Sequence, residues 1–275
     1  MTVGSLLGRG RTLLRSAAAA AAELDAEVLL AHILGVPRAR LRSHPEAPVS
    51  AACQARYLEA IARCAGGEPL AYLTGRREFW SLDLGVTPAV LIPRPETELL
   101  VERALVLGTA AEARVADLGT GSGAVALALA RERPRWHIVA TDVSAAALAV
   151  ARANAAELGA ARVEFLEGSW LAPLTGRRFD LLVSNPPYVA AGDPALAALS
   201  FEPQLALTPG PDGLAALRTL ARAAPAHLAP GGWLLLEHGA TQGAAVRAEL
   251  VAAGLAHVRS HRDLAGHERM TEGQR

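Results

Sequence analysis

Hydrophobic positions change their spacing twice along the chain, near residue 78 and again near residue 114. From Ser5 to about Gly67 they recur close to a 3.6 period: Leu24, Val28, Ala31 and Ile33-Leu34 make one predicted helical stripe, stopped by Gly35 and Pro37. Ser50 is placed to cap a further helix that turns Leu58 and Ile61 inward and ends at Gly66-Gly67 before Pro69. The run Ala17–Ala22 also suits a helix, because alanine has the highest intrinsic propensity. Glu78–Val86 then alternates with a period of two, as a strand or hairpin does. Leu91–Glu98 sets two prolines around Arg94 and leads into a helix from about Thr97, with Thr97 or Glu96 supporting its first turn.

From Arg114 onward strands and helices alternate. Strands are predicted at Val115–Leu118, His137–Asp142, Val163–Leu166, Phe179–Val183 and Trp233–Glu237, and helices at Ala124–Ala130 and Ala145–Leu158. That alternation implies a doubly wound, mainly parallel α/β sheet. The chain is accordingly expected to divide into a helical domain over residues 1–77, a β-hairpin linker over 78–92 and an α/β domain over 93–275.

Composition narrows the reading without changing it. The 275 residues are 51% hydrophobic and 20% charged, with 27 basic against 27 acidic side chains. A net charge of zero gives no electrostatic case for a nucleic-acid or anionic-membrane partner. Cys53 and Cys64 fit neither a disulfide framework nor a zinc site and read as small residues on one face of a helix. Arg9, Arg11 and Arg15 precede the alanine run, but Glu23, Asp25 and Glu27 end it too soon for a signal peptide. No apolar stretch approaches the roughly 18 residues of a membrane helix. A cytoplasmic protein is expected.

Two loops carry candidate chemistry. The strand at Phe179–Val183 runs into Ser184-Asn185-Pro186-Pro187-Tyr188, where consecutive prolines forbid further ladder pairing. Asn185 offers an amide, Pro186 a carbonyl without a competing N–H, and Tyr188 a flat aromatic face. Together they suit a planar group bearing NH2, at a strand's carboxyl end where open α/β sheets bind ligands. The bland alternative is a strand-ending turn with a buried tyrosine.

The second loop, Gly119-Thr120-Gly121-Ser122-Gly123, joins a strand to a helix and, read through Ala124, also satisfies a dinucleotide fingerprint. Asp142 follows at the end of the next strand, where an acid accepts hydrogen bonds from ribose hydroxyls or, alternatively, caps the helix beginning near Ser144. Asp117, just before the glycines, would repel a pyrophosphate and attract a cation, which favours S-adenosylmethionine. Trp170 packs either on an adenine or on the sheet edge. Arg94 and Glu96 belong either to a rigid linker or to a cleft wall, and spacing does not separate the two.

Asp117–Gly123, Asp142 and Asn185–Tyr188, with Ile92–Glu98 upstream, resemble class I methyltransferases of the release-factor glutamine methyltransferase family (PrmC/HemK). The likeness continues through Phe201-Glu202-Pro203, Ala206-Leu207, Asp212–Leu214, Gly231-Gly232, Glu237, Asp263–Gly266 and Arg269, so it spans nearly the whole chain. The resemblance implies a Rossmann-like methyltransferase domain behind a small helical bundle that recognises substrate. It implies methyl transfer from S-adenosylmethionine, leaving S-adenosylhomocysteine, to the glutamine of the Gly-Gly-Gln motif in peptide-chain release factors. Cofactor contacts are then expected at Gly119, Thr120, Gly121, Ser122, Gly123, Asp142, Trp170 and Asn185. Substrate contacts are expected at Asn185, Pro186, Pro187 and Tyr188, with Asn185, Pro186 and Tyr188 catalytic, and with no metal, nucleic-acid or membrane partner. The short polar tail after Arg269 is expected to leave the family's last antiparallel strand brief or frayed.

Two rivals share parts of this pattern. A nucleic-acid amino-methyltransferase uses the same turn on a flipped base but wants a basic face, which the balanced charge does not supply. A cofactor-binding module without catalysis does not need an intact Asn-Pro-Pro-Tyr.

Overall fold

The computed structural model describes residues 1–17 and 19–275, which fall into two units, Met1–Arg76 and Arg77–Arg275. The first is helical: α1 (Val3–Ser16), α2 (Ala22–Leu34), α3 (Arg38–Ser43), α4 (Ala51–Ala65) and α5 (Leu70–Thr74). Thr2 and Ser5 close a capping box on α1, and Ser50 caps α4 by accepting from the Cys53 N–H. Leu6, Leu14, Leu29, Leu30, Tyr57 and Ile61 form a fully buried core, with Cys53 and Cys64 half-buried against it.

Two expectations for this unit need correcting. Leu24 is 47% exposed, whereas Ala31 is buried as expected, and the buried stripe of α2 is Ala22, Ala26, Leu29, Leu30 and Ala31 together with Glu27. The stripe is displaced because Glu27 can be buried: its two oxygens accept from Arg11 and Arg42, each at 2.8 Å. The alanine run is not a helix. Ala17 and Ala19–Ala21 lie in the connection between α1 and α2, the helix resuming at Ala22, while Ala18 lies outside the described residues. Tertiary packing overrides a propensity of this size.

A hairpin of β1 (Arg76–Phe79) and β2 (Leu82–Gly85) begins at the last residue of the first unit and otherwise belongs to the second. Trp80 and Ser81 turn it with φ of 52° and 56°, the left-handed pair that matches strand twist. Phe79, Leu82 and Leu84 are buried in the core of this unit. Next come α6 (Glu98–Leu107), β3 (Arg114–Leu118), α7 (Ala124–Glu132), β4 (His137–Asp142), α8 (Ala145–Glu157), β5 (Glu164–Glu167) and β6 (Phe179–Ser184). The chain ends with α9 (Ala195–Ala198), α10 (Ala215–His227), β7 (Leu228–Glu237), α11 (Gly243–Ala252), β8 (Ala256–Arg262) and β9 (Glu268–Gln274). Asn154 of α8 clasps the hairpin: its Oδ1 accepts from the Gly85 N–H at 2.7 Å, while Nδ2 donates to Gly85 O at 3.0 Å and Ser122 O at 2.9 Å.

Seven strands pair in the order β5-β4-β3-β6-β7-β9-β8. Pairing is parallel from β5 to β7 and antiparallel from β7 through β9 to β8. The chain proceeds outward from β3 to β5, then returns to the other side of β3 with β6. The carboxyl ends of β3 and β6 therefore form the switch point at which such sheets open a crevice.

The tail is the third correction. It forms a seven-residue interior strand, not a frayed edge. Its polar residues are tolerated because each is paired: Glu272, 0% exposed, meets Arg103 of α6 and Arg259 of β8, and Thr271 meets His238 and Ser260. Burial works to raise the Glu272 carboxyl, but those guanidiniums outweigh it and hold the carboxyl below its usual range.

Candidate active site

Gly119 leaves β3 with φ of 74°, and a Cβ there would lie 3.0 Å from the Trp170 ring. Glycine is required both for the turn and for the close approach of that indole. The loop is anchored to the end of β4, where the Gly119 and Thr120 N–H groups both donate to Thr141 O at 2.9 Å. Thr141 in turn donates through its hydroxyl to Trp170 O at 2.9 Å, holding Trp170 at φ of 50°. A non-glycine residue in that conformation is strained, and such strain clusters at ligand sites.

Asp142 is not the cap of α8; its carboxylate braces the glycine loop instead. Its Oδ1 accepts from the Ser144 N–H at 2.9 Å and its Oδ2 from the Gly121 N–H at 2.9 Å. Ser144, not Asp142, is the side-chain cap of α8. Asp117 lies beneath the loop, 2% exposed, with Oδ2 accepting from the Thr120 hydroxyl at 2.7 Å and the Ala126 N–H at 3.2 Å. Burial pushes its carboxyl up to about 6 against the pull of those two donors.

At the end of β6, the Ser184 hydroxyl donates to Leu118 O at 2.6 Å and ties the two strand ends together. Asn185 follows, and its Nδ2 donates to the Thr97 hydroxyl at 3.1 Å. Thr97 therefore holds Asn185 and makes no capping bond to its helix, contrary to the expectation of a first-turn support. Tyr188 is fixed at both ends: its hydroxyl donates to Glu237 Oε1 at 3.1 Å, and its carbonyl accepts from Gln242 Nε2 at 3.0 Å. Burial foremost, then the Glu237 charge, raises its phenol well above the ordinary range. Glu237, 1% exposed at the end of β7, is pushed up to about 7 by burial, against the Thr97 and Tyr188 hydroxyls and the charge of Arg269.

The two loops face one cavity of about 470 Å³, within the range of small-molecule sites. Of the residues singled out by sequence, Gly119, Thr120, Gly121, Ser122, Asp142, Trp170, Asn185 and Pro187 line it. Gly123, Pro186 and Tyr188 do not: Gly123 begins α7 against Leu127 and Ala151, and Tyr188 packs against the core beneath α10 and α11. The strap around Arg94 and the segment around Leu205 complete the walls, and the Arg94 guanidinium is engaged by Glu202. With two carboxylates in the lining and its arginine already paired, the donor set fits a cationic, ribose-bearing cofactor and disfavours a pyrophosphate. Thr97 and the linking role of Glu237 were not found from sequence; the signal for Glu237 is a charged residue closing the apolar run Leu234-Leu235-Leu236.

The family described as PrmC N-terminal domain matches residues 5–75, and that described as Methyltransferase small domain matches residues 95–201. The Release factor glutamine methyltransferase of Xylella fastidiosa is 54% identical over 265 residues, covering 95% of this chain and 96% of that protein. Its counterpart in Pseudomonas aeruginosa is 51% identical over 255 residues, covering 92% of each. A solved methyltransferase from Pyrococcus furiosus superposes with a TM-score of 0.52 at 20% identity, covering 82% of this chain and 98% of that one, which shows the shared fold. Full-length relatedness at this identity leaves one assignment: the chain belongs to the release factor glutamine methyltransferase family.

Proposed function

We propose that this protein transfers a methyl group from S-adenosylmethionine to the side-chain nitrogen of the glutamine in the Gly-Gly-Gln motif of peptide-chain release factors. One observation carries the chemistry: the NH2 end of Asn185 is tied to Thr97, which leaves its carbonyl oxygen as the acceptor for a ligand in the cavity shared with the glycine loop.

The cofactor, when bound, supplies an electrophilic methyl on its sulfonium. Gly119–Ser122, Asp142 and Trp170 hold it, Asp142 serving the ribose and Asp117 the cationic end. A carboxamide nitrogen is a weak nucleophile because its lone pair is delocalised into the carbonyl. Asn185 Oδ1 and the Pro186 carbonyl each accept one amide hydrogen, which orients the nitrogen and stabilises the positive charge it acquires. Alignment of methyl and nitrogen in the cavity supplies the remaining acceleration. No side-chain general base is assigned: the methylated nitrogen is strongly acidic, and its proton passes to water once the methyl has left the sulfonium. Tyr188 keeps the turn in shape through Glu237 and Gln242, and Pro187 forms part of the wall.

The helical domain over residues 1–77 recognises the release factor, and the reaction is cytoplasmic, without nucleic-acid or membrane contact. The balanced charge supports this reading. Radiolabelled methyl transfer to purified release factor tests the function. Label is expected in the wild-type substrate and absent when its motif glutamine is alanine; equal labelling of both would overturn the assignment.

A further inference from the structure

Thr97 and Glu237 are both buried, at 5% and 1% exposure; Thr97 lines the cavity beside Asn185, and Glu237 does not. Glu237 Oε1 is taken by the Tyr188 hydroxyl, and Oε2 has no hydrogen-bond partner. A buried carboxylate oxygen draws any donor that can turn toward it, since leaving it unmet is costly. The Thr97 hydroxyl is the group placed to do so: its oxygen accepts from Asn185 at 3.1 Å, its own proton has no other acceptor to satisfy among the described residues, and it pulls the Glu237 carboxyl downward against burial.

The direction of this chain matters. A threonine hydroxyl has one proton. Sent to Glu237, that proton leaves Thr97 able only to accept from Asn185, so Asn185 must present its NH2 end inward. Were the hydroxyl reversed, Asn185 would turn its carbonyl toward Thr97 and offer NH2 to the substrate. An amide whose two hydrogens need acceptors would then meet a donor.

We propose that Glu237 is a positioning residue which, through Thr97, sets the orientation of the Asn185 amide and so makes Asn185 an acceptor. This rests on the glutamine-methylation reading above. Glu237 also holds Tyr188, so one carboxylate anchors both ends of the Asn-Pro-Pro-Tyr turn.

Single-turnover methylation of release factor at saturating S-adenosylmethionine tests it, in a double-mutant cycle with Asn185→Asp. Thr97→Ser keeps the hydroxyl and should react within about twofold of wild type, whereas Thr97→Val should lose about tenfold or more with cofactor Kd unchanged, and should melt lower because buried polar groups lose their partner. In the Asn185→Asp background the two oxygens are equivalent and orientation is immaterial, so Thr97→Val should cost less than about threefold. Glu237→Gln, which is isosteric and gains an NH2, should show the same background-dependent loss and serves if Thr97→Val folds poorly. A wild-type rate in Thr97→Val, or equal losses in both Asn185 backgrounds, overturns this inference alone. Failure of the wild-type protein to methylate release factor overturns the assigned reaction and this inference with it.

Discussion

Glu202 joins two segments 108 residues apart, accepting from the Arg94 guanidinium through Oε1 and from the Ile92 N–H at 3.0 Å through Oε2. Both segments wall the cavity, one with Pro93 and Arg94, the other with Pro203 and Leu205. Sequence left Arg94 undecided between linker and cleft, and it serves as both. Glu202→Ala removes a buried acceptor from two donors and should cost about 1–3 kcal/mol of stability, discounted because Arg94 is partly exposed. Thermal melting should show the loss, and calorimetry a weaker cofactor affinity. A mutant with unchanged affinity would reduce the pair to a structural clamp.

Asp142→Ala deletes a carboxylate that braces Gly121 and, on the proposed reading, the ribose. Loss of a charged hydrogen bond worth about 1.5–3 kcal/mol should weaken cofactor binding roughly 10- to 100-fold. Asp142→Asn, which keeps one acceptor, should fall between. An alanine mutant with wild-type cofactor Kd would leave Asp142 as a brace for the loop and the start of α8.

Asp117 makes cofactor binding depend on pH. Its carboxyl is raised to about 6, so it is ionised above that value and attracts a cation, and protonated below it. Cofactor affinity should therefore fall as the pH drops through about 6, with proton release on binding there; Asp117→Asn should bind weakly and without that dependence. The folding linkage has its own sign. Between 3.8 and about 6 the folded protein holds a proton that the unfolded chain has lost, so this contribution to stability is full below 3.8 and disappears as pH rises through about 6. Chemical denaturation of wild type and Asp117→Asn across pH 4–8, at equal salt, measures that slope.

The hairpin fixes where a truncation can begin. A chain starting at Arg77 keeps Phe79, Leu82 and Leu84 in the core and should fold, bind cofactor and methylate the folded protein substrate poorly. One starting at Val86 loses all three, each worth about 1.5–3 kcal/mol of burial, and should melt far lower. Full-rate methylation by the Arg77 chain would remove the recognition role from the helical domain.

The α/β alternation was legible because parallel strands buried on both faces read as short apolar runs, and β4 was bounded correctly at His137–Asp142. The two ligand loops were legible because glycines and prolines punctuate the chain. What escaped prediction depends on partners far away in sequence. The stripe of α2 shifted because Arg11 and Arg42 allow Glu27 inside, and β9 is interior because Arg103 and Arg259 cover Glu272. Thr97 looked like a helix cap because its spacing fits one; its contact with Asn185 bridges 88 residues, and no local pattern announces it.

Asn154, 3% exposed, has bearing on how the protein ages. Its amide is saturated, with both hydrogens and the carbonyl engaged by Gly85 and Ser122. Hydrolysis to aspartate would change one NH2 into an oxygen and leave a carboxylate facing two carbonyls, parting the hairpin from the glycine loop in a single chemical event. The same placement is protective. Deamidation proceeds by attack of the following backbone nitrogen on the side-chain carbonyl, and the regular backbone of α8 holds that nitrogen out of reach. The lesion therefore has to wait for α8 to unravel, and the chemical lifetime of this contact becomes a clock for local unfolding.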